Sequence, residues 1–297
     1  MKKVYKIMFG LSVVLVLIAI AVLFVYGLNL GVDFKGGSVM ELIFHPPAGG
    51  ERPSLDDFRS SLAGAGVTEA VVNYSGDSGI ILRTTELSEQ EHQVILSTLE
   101  EIFPDVREDR FESIGPIIGN ELKRKSITAI LLALSSVIIY IAIVFRKLSK
   151  VLSPWVMGLA AMVALLHDVL VPLGVFAVLG QFYSVEISAV FVAAVLTILG
   201  YSVADTVVVF DRVRENIVRG SSSSFPEVVH GSVMQTLTRS LNTTFTTLLS
   251  LFAIYFFGGD SIRYFALALI LGIFLGAYSS IFVATPLLVW WSRKGRG

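Results

Sequence analysis

The sequence contains no cysteine. That removes disulfides, a thiol nucleophile and cysteine metal sites together. Charge is scarce as well: Asp, Glu, Lys and Arg make up 16% of the chain, against about 25% in an average soluble domain. No H-E-x-x-H, G-x-S-x-G or P-loop occurs, so the common zinc-protease, hydrolase and nucleotide signatures are missing. What fills the chain is apolar residue, 54% of 297 positions. One or two soluble domains of that length cannot hide so much apolar surface. The composition is that of a polytopic membrane protein. It excludes a cytosolic enzyme, a secreted disulfide scaffold and a disordered tail.

The remaining charge is unevenly divided. Residues 28–125 hold 9 basic and 17 acidic side chains, a net −8; the rest hold 14 basic and 7 acidic, a net +7. An acidic, water-soluble segment is therefore set into an apolar chain with cationic edges. The first apolar run, Met8–Gly27, follows Lys2, Lys3 and Lys6 and is 20 residues long, enough to cross a core of about 30 Å. No small-residue cleavage pattern follows it, so it reads as a retained span rather than a signal peptide. Further spans are expected at 127–145, 154–179, 187–210, 233–257 and 265–291. The domain plan is 1–27, the N-terminus and first span; 28–125, a soluble domain; and 126–297, a bundle of five spans.

Lys and Arg in short loops fix the expected orientation. One side collects Lys2, Lys3 and Lys6; Arg146, Lys147 and Lys150; Arg212, Arg214 and Arg219; and Arg293, Lys294 and Arg296. Of the opposite short loops, Gly180–Glu186 has none and the other has Arg263 alone. Both termini are expected in the cytoplasm and residues 28–125 on the far side. Lys123, Arg124 and Lys125 run against the rule, but they adjoin the long loop, and long loops translocate largely regardless of charge.

The soluble segment reads as a small α+β domain. Ser38–Phe44 alternates like a strand. Ser54 opens an amphipathic segment to Ala65, with Asp57 placed as in a capping box. Val71–Tyr74 and Ile80–Thr84 flank Ser75-Gly76-Asp77-Ser78-Gly79, a hairpin turn. Ser88-Glu89-Gln90-Glu91 is a capping box opening a helix to Phe103, and Arg110–Ile114 is a last strand. The order β-α-β-β-α-β is the ferredoxin-like plan.

Ionisable residues inside spans are the informative ones, because each costs at least about 2.5–3.5 kcal/mol at mid-helix. His167 and Asp168 lie in the third span, Asp205 in the fourth and Arg239 in the fifth. Asp205 and Arg239 fall at similar depth on successive antiparallel helices and are read as partners. Arg239, Asn242, Thr243, Thr246, Thr247 and Ser250 follow helical spacing as a polar stripe, which suits a proton path or helix packing. His167–Asp168 is read either as a second relay or as a structural pair. An intramembrane aspartic protease built on Asp168 and Asp205 needs two carboxyls sharing a proton; here one has an Arg partner, and no Gly-x-Gly-Asp precedes either. Gly272 and Gly276 form G-x-x-x-G, with Ser280 beyond, read as packing within the chain rather than as a dimer site. A short interfacial helix is expected after Pro226.

Four stretches resemble a known family. GLNLGVDFKGGS (Gly27–Ser38) and IGPIIGNEL (Ile114–Leu122) resemble signatures of the SecD/SecF family, accessory subunits of bacterial protein translocation. GYSVADTVVVFDRVREN (Gly200–Asn216) and TRSLNTTFTTLL (Thr238–Leu249) resemble the fourth- and fifth-span motifs of its SecF branch, and a 98-residue loop matches that branch in length. The resemblance implies half of a twelve-span, resistance-nodulation-division-like fold in the bacterial inner membrane. It implies hetero-association with a SecD-like subunit and with the SecYEG channel, and use of the proton-motive force late in export, after the pushing by SecA. An unfolded preprotein would be met on the periplasmic side. Asp205 and Arg239 are the implied functional pair; Gly31, Asp33, Gly36 and Gly37 fall in the motif after the first span. Protons are the coupling ion. No metal, organic cofactor, nucleic-acid partner or hydrolytic activity is expected. Two other readings are half of a small-molecule efflux pump, for which 98 residues hardly provide a porter cleft, and a passive assembly factor.

Overall fold

The computed structural model describes residues 3–45, 52–64, 67, 70–76, 78–146, 153–220 and 224–294. Lys2, Lys147, Lys150 and Arg296 of the orientation argument, Ala65, Asp77 of the hairpin turn, and Ser221–Ser223 lie outside the described residues. The chain divides into two units, Leu30–Ser126 and the combination of Met1–Asn29 with Ile127–Gly297.

In the first unit, a single helical turn α2 (Val32–Lys35) precedes β1 (Gly37–Phe44). Then come α3 (Leu55–Gly64), β2 (Ala70–Ser75), β3 (Gly79–Thr84), α4 (Glu89–Ile102) and β4 (Val106–Ile114). The sheet order is β2-β3-β1-β4 and every neighbouring pair is antiparallel. That is the ferredoxin-like arrangement. Alternation sets the faces: Ser38, Met40, Leu42 and Phe44 of β1 are buried, and the residues between them are half-buried. Phe58 and Leu62 of α3 and Ile95 and Leu99 of α4 close the same core. The caps are where the spacing puts them. Ser54 Oγ accepts from Asp57 N at 3.2 Å. Glu91 accepts the Ser88 backbone N–H at 2.8 Å, completing a box that satisfies donors at the start of α4.

Among the described residues, six helices are long and apolar enough to cross a membrane: α1 (Lys3–Tyr26), α5 (Pro116–Val144), α6 (Pro154–Tyr183), α7 (Ala189–Val218), α8 (Phe225–Phe257), and a sixth span made of α9 (Asp260–Ser279), a π-helical turn (Ser280–Ala284) and α10 (Thr285–Lys294). Several helices outrun the expected spans. The α5 helix starts at Pro116, where a missing N–H is harmless in a first turn. The α7 helix runs on to Val218, laced by Arg214–Asp211 at 2.9 Å and Arg212–Glu215 at 2.6 Å. The α8 helix begins at Phe225, capped by Ser224 and Glu227. No separate interfacial helix follows Pro226; that residue lies in the first turn of one continuous helix.

Packing ranks the spans. In the sixth, 72% of the apolar window is buried, against 44% in α6 and α7 and 6% in α5. The sixth span is central because its small residues admit neighbours. A Cβ on Gly272 would lie 2.3 Å from Ile198 Cδ1, and one on Gly276 would lie 3.0 Å from Ser202 Cβ. The G-x-x-x-G groove is thus filled by α7 of the same chain.

Candidate functional site

Asp205 sits on α7, where the helix turns it towards α8, and only 9% of it is exposed. Burying a carboxylate is costly unless its lone pairs are met. Ser240 Oγ on α8 donates to Asp205 Oδ2 at 2.7 Å. Arg239, one residue earlier, is rotated by about 100° along the helix and lies on the exposed side of α8. Among the described residues, no Arg239–Asp205 ion pair forms within 4.0 Å. The expected direct pair is therefore replaced by a serine contact with the arginine beside it. Depth on neighbouring helices does not fix which residue of a turn faces across.

The polar stripe behaves in the same way. Asn242, Thr243, Thr246 and Ser250 are exposed and Thr247 is half-buried. Their hydroxyls bond back along the helix: Thr243 to the Arg239 carbonyl at 3.1 Å, Thr246 to Asn242 at 2.9 Å, Thr247 to Thr243 at 2.9 Å and Ser250 to Thr246 at 3.4 Å. Tyr201 Oη of α7 is 3.5 Å from Thr247 Oγ1. The stripe lines a face that the described residues leave largely exposed. Thr206 Oγ1 and Thr244 Oγ1, one residue after Asp205 and one turn after Ser240, are buried without a hydrogen-bond partner among the described residues.

His167 and Asp168 do not join this group; they form a second cluster. Asp168 is fully buried. Its Oδ2 receives Ser202 Oγ of α7 at 2.6 Å and Ser279 Oγ of α9 at 2.7 Å. Its Oδ1 is 2.9 Å from His167 Nδ1. The sequence reading had no role for Ser202, Ser240 or Ser279. The available signal was position: Ser202 lies three residues before Asp205, Ser240 follows Arg239, and Ser279 follows Gly276 by three.

The glycine motif has a different task. Gly36 and Gly37 take φ of 81° and 126°, which only glycine adopts without strain. A Cβ on Gly36 would lie 2.7 Å from Pro116 Cα; one on Gly119 would lie 3.0 Å from Gly36 N. The two family-like motifs of the soluble unit therefore pack backbone against backbone. Gly31 and Asp33 flank and form the α2 turn that leads into them. These four residues shape the start of the domain and lie in the other unit from Asp205.

Comparison with known proteins gives concordant matches. Residues 94–294 match the family described as "Protein export membrane protein SecD/SecF, C-terminal", and residues 21–48 match the "SecD/SecF GG Motif". A protein translocase subunit SecF of Thermobaculum terrenum is 43% identical, over 96% of this chain and 91% of that protein. The corresponding Synechocystis protein is 39% identical, over 90% and 83%. A Brucella abortus protein translocase subunit SecDF is 37% identical over 97% of this chain, which spans 36% of its length. Among solved structures, Thermus thermophilus SecDF, described as a translocon-associated membrane protein, superposes with a TM-score of 0.83 at 33% identity. It covers 97% of this chain and 38% of that one.

Proposed function

Since the chain belongs to the SecD/SecF family of protein export membrane proteins, we propose that it is the SecF-type accessory subunit of a bacterial Sec translocase. In this reading it pairs with a SecD-like subunit, engages SecYEG, and uses the proton-motive force to draw preprotein outward after SecA has acted. It has no hydrolytic activity of its own and needs no cofactor besides protons. The SecD partnership is supported by the fused relative, of which this chain spans about a third. The uncovered polar face of α8 also supports it, because hydroxyl and charged groups left against lipid would be unfavourable.

The observation that carries the proton role is Asp205, a buried carboxyl held by one neutral donor with a guanidinium one residue from that donor. A proton-driven device needs two states of different proton affinity. Moving Arg239 towards or away from Asp205 changes the carboxyl's affinity for a proton, so a shift of α8 against α7 couples protonation to motion. Each charge crossing 100 mV yields about 2.3 kcal/mol, enough to drive such a shift. Both termini are placed in the cytoplasm of the inner membrane and residues 28–125 in the periplasm, on the Lys/Arg bias. There the ferredoxin-like domain meets the unfolded chain. Preprotein export into inverted vesicles, with and without an imposed gradient, tests the assignment when native chain is replaced by Asp205→Asn. Loss of the gradient-dependent part supports it.

A further inference from the structure

The His167–Asp168 cluster has a chemical asymmetry that the Asp205 site lacks. Asp168 Oδ2 already receives two hydroxyl donors, Ser202 and Ser279, which fill its lone pairs. When the carboxyl is ionised it can only accept, and the 2.9 Å contact to His167 Nδ1 is then donated by Nδ1. In a neutral imidazole the other nitrogen then carries a free lone pair. Among the described residues that nitrogen, Nε2, finds no hydrogen-bond partner, and it is buried on a residue only 3% exposed. The ring is fixed from its face as well. Tyr278 stacks on it at 6.0 Å and 23°, and Tyr278 Oη is itself tied to the Met8 carbonyl of α1 at 2.7 Å. A base with its orientation fixed by a carboxylate and its second nitrogen open is the arrangement by which the histidine of a catalytic triad takes up a proton.

We infer that His167 Nε2 is a second proton-accepting site of the transmembrane unit, with Asp168 as its positioning residue, distinct from Asp205. A proton from water adds to the Nε2 lone pair; Nδ1 keeps its hydrogen, and no other bond breaks. The buried carboxylate, until then without a full counter-charge in the cluster, becomes half of a neutral ion pair. The titratable groups in contact with it are Asp168 at Nδ1 and Tyr278 on its face; Asp205, three residues beyond Ser202 on α7, is held by Ser240 of α8. Because Asp168 also holds α7 and α9, proton occupancy acts at the junction of α6, α7 and the sixth span. That junction adjoins the π-helical turn at Ser280–Ala284, a helix distortion frequent at functional sites.

The test is nitrogen NMR of the full chain in lipid nanodiscs with 15N-labelled histidine. There are four histidines in the chain, and His167→Gln assigns the signal by difference. The expected result is that Nδ1 keeps its hydrogen across the pH range sampled while Nε2 gains one on acidification. In Asp168→Asn the imidazolium loses its partner carboxylate and its signal is reduced or lost, and Asp168→Glu restores most of it. A single unchanging Nε2 state across the range overturns the inference; that result is read in the unsubstituted chain and does not depend on the variants folding. The same titration in Asp205→Asn separates the two sites. If it persists there, His167 acts independently of Asp205; if His167 never titrates, the reading of Asp205 is untouched.

Discussion

Ser240 Oγ donates to Asp205 Oδ2 at 2.7 Å, and it is this serine, not the Arg239 before it, that touches the carboxyl. The carboxyl is thereby kept in place by a neutral group, while Arg239 lies on the exposed side of α8. A fixed ion pair would have locked both α7 and α8. Ser240→Ala should leave the chain folded but weaken gradient-dependent export several-fold, since a buried carboxyl loses its one direct donor, at about 1–3 kcal/mol. Unchanged stimulation would show that the contact does not serve the proton site.

The G-x-x-x-G groove makes a packing prediction. Gly272→Ala puts a Cβ within 2.3 Å of Ile198 Cδ1, and overpacking of this kind costs about 1–3 kcal/mol. The thermal midpoint in detergent should fall. The double change Gly272→Ala with Ile198→Ala should recover part of that loss, which a dimer-interface role for Gly272 would not produce.

Gly36→Ala is expected to be more damaging than its size suggests. It forces φ of 81° on a residue with a side chain and drives that side chain into the Pro116 backbone at 2.7 Å, where nothing flexible can yield. The strain alone is about 1–3 kcal/mol. Gly10→Ala meets nothing within 4 Å and serves as the control. Protease resistance of the full chain in membranes should drop for the first and hold for the second.

A pH effect follows from the cap of α4. The Ser88 backbone N–H and hydroxyl hold the Glu91 carboxyl below its ordinary value. A lowered folded value means that the contribution is present above the unfolded value, about 4.3, and is lost as pH falls through the folded one. Ser88→Ala should therefore destabilise the domain near neutrality, with the difference from native shrinking at acid pH. Equal loss at pH 7 and pH 3 would count against the capping account.

Much of this was legible in the sequence. Alternation in Ser38–Phe44 and the Ser88–Glu91 spacing reflect local physics, so the ferredoxin-like order could be read before any contact was known. The six spans were legible for the same reason, since length and apolarity are local quantities. Ends were read less well. The α8 helix starts at Phe225, although Ser224-x-x-Glu227 is a capping box in plain view, because apolarity begins only near Val233 while the helix does not. The site was legible in its charges and not in its serines. Which of Arg239 and Ser240 faces α7 depends on helix rotation, a tertiary quantity that spacing along one helix cannot supply. Asp168, read with His167 as a second relay or a structural pair, accepts from Ser202 and Ser279, one on each of two other helices.

Orientation rests on Lys and Arg placement and is checked by reporter fusions. A reporter active only outside the cytoplasm should work at Gly76 and fail at Ser222. The reverse pattern would invert the protein and put the soluble domain on the wrong side for an emerging preprotein.

The central claim is that Asp205 carries the coupling proton, and export by inverted vesicles tests it most directly. Asp205→Asn keeps size and an acceptor for Ser240 but cannot titrate. With the variant present at native abundance in the membrane, ATP-driven export by SecA should continue, and the added stimulation from an imposed proton gradient should vanish. Arg239→Met should behave likewise. Full gradient stimulation in Asp205→Asn would contradict the account.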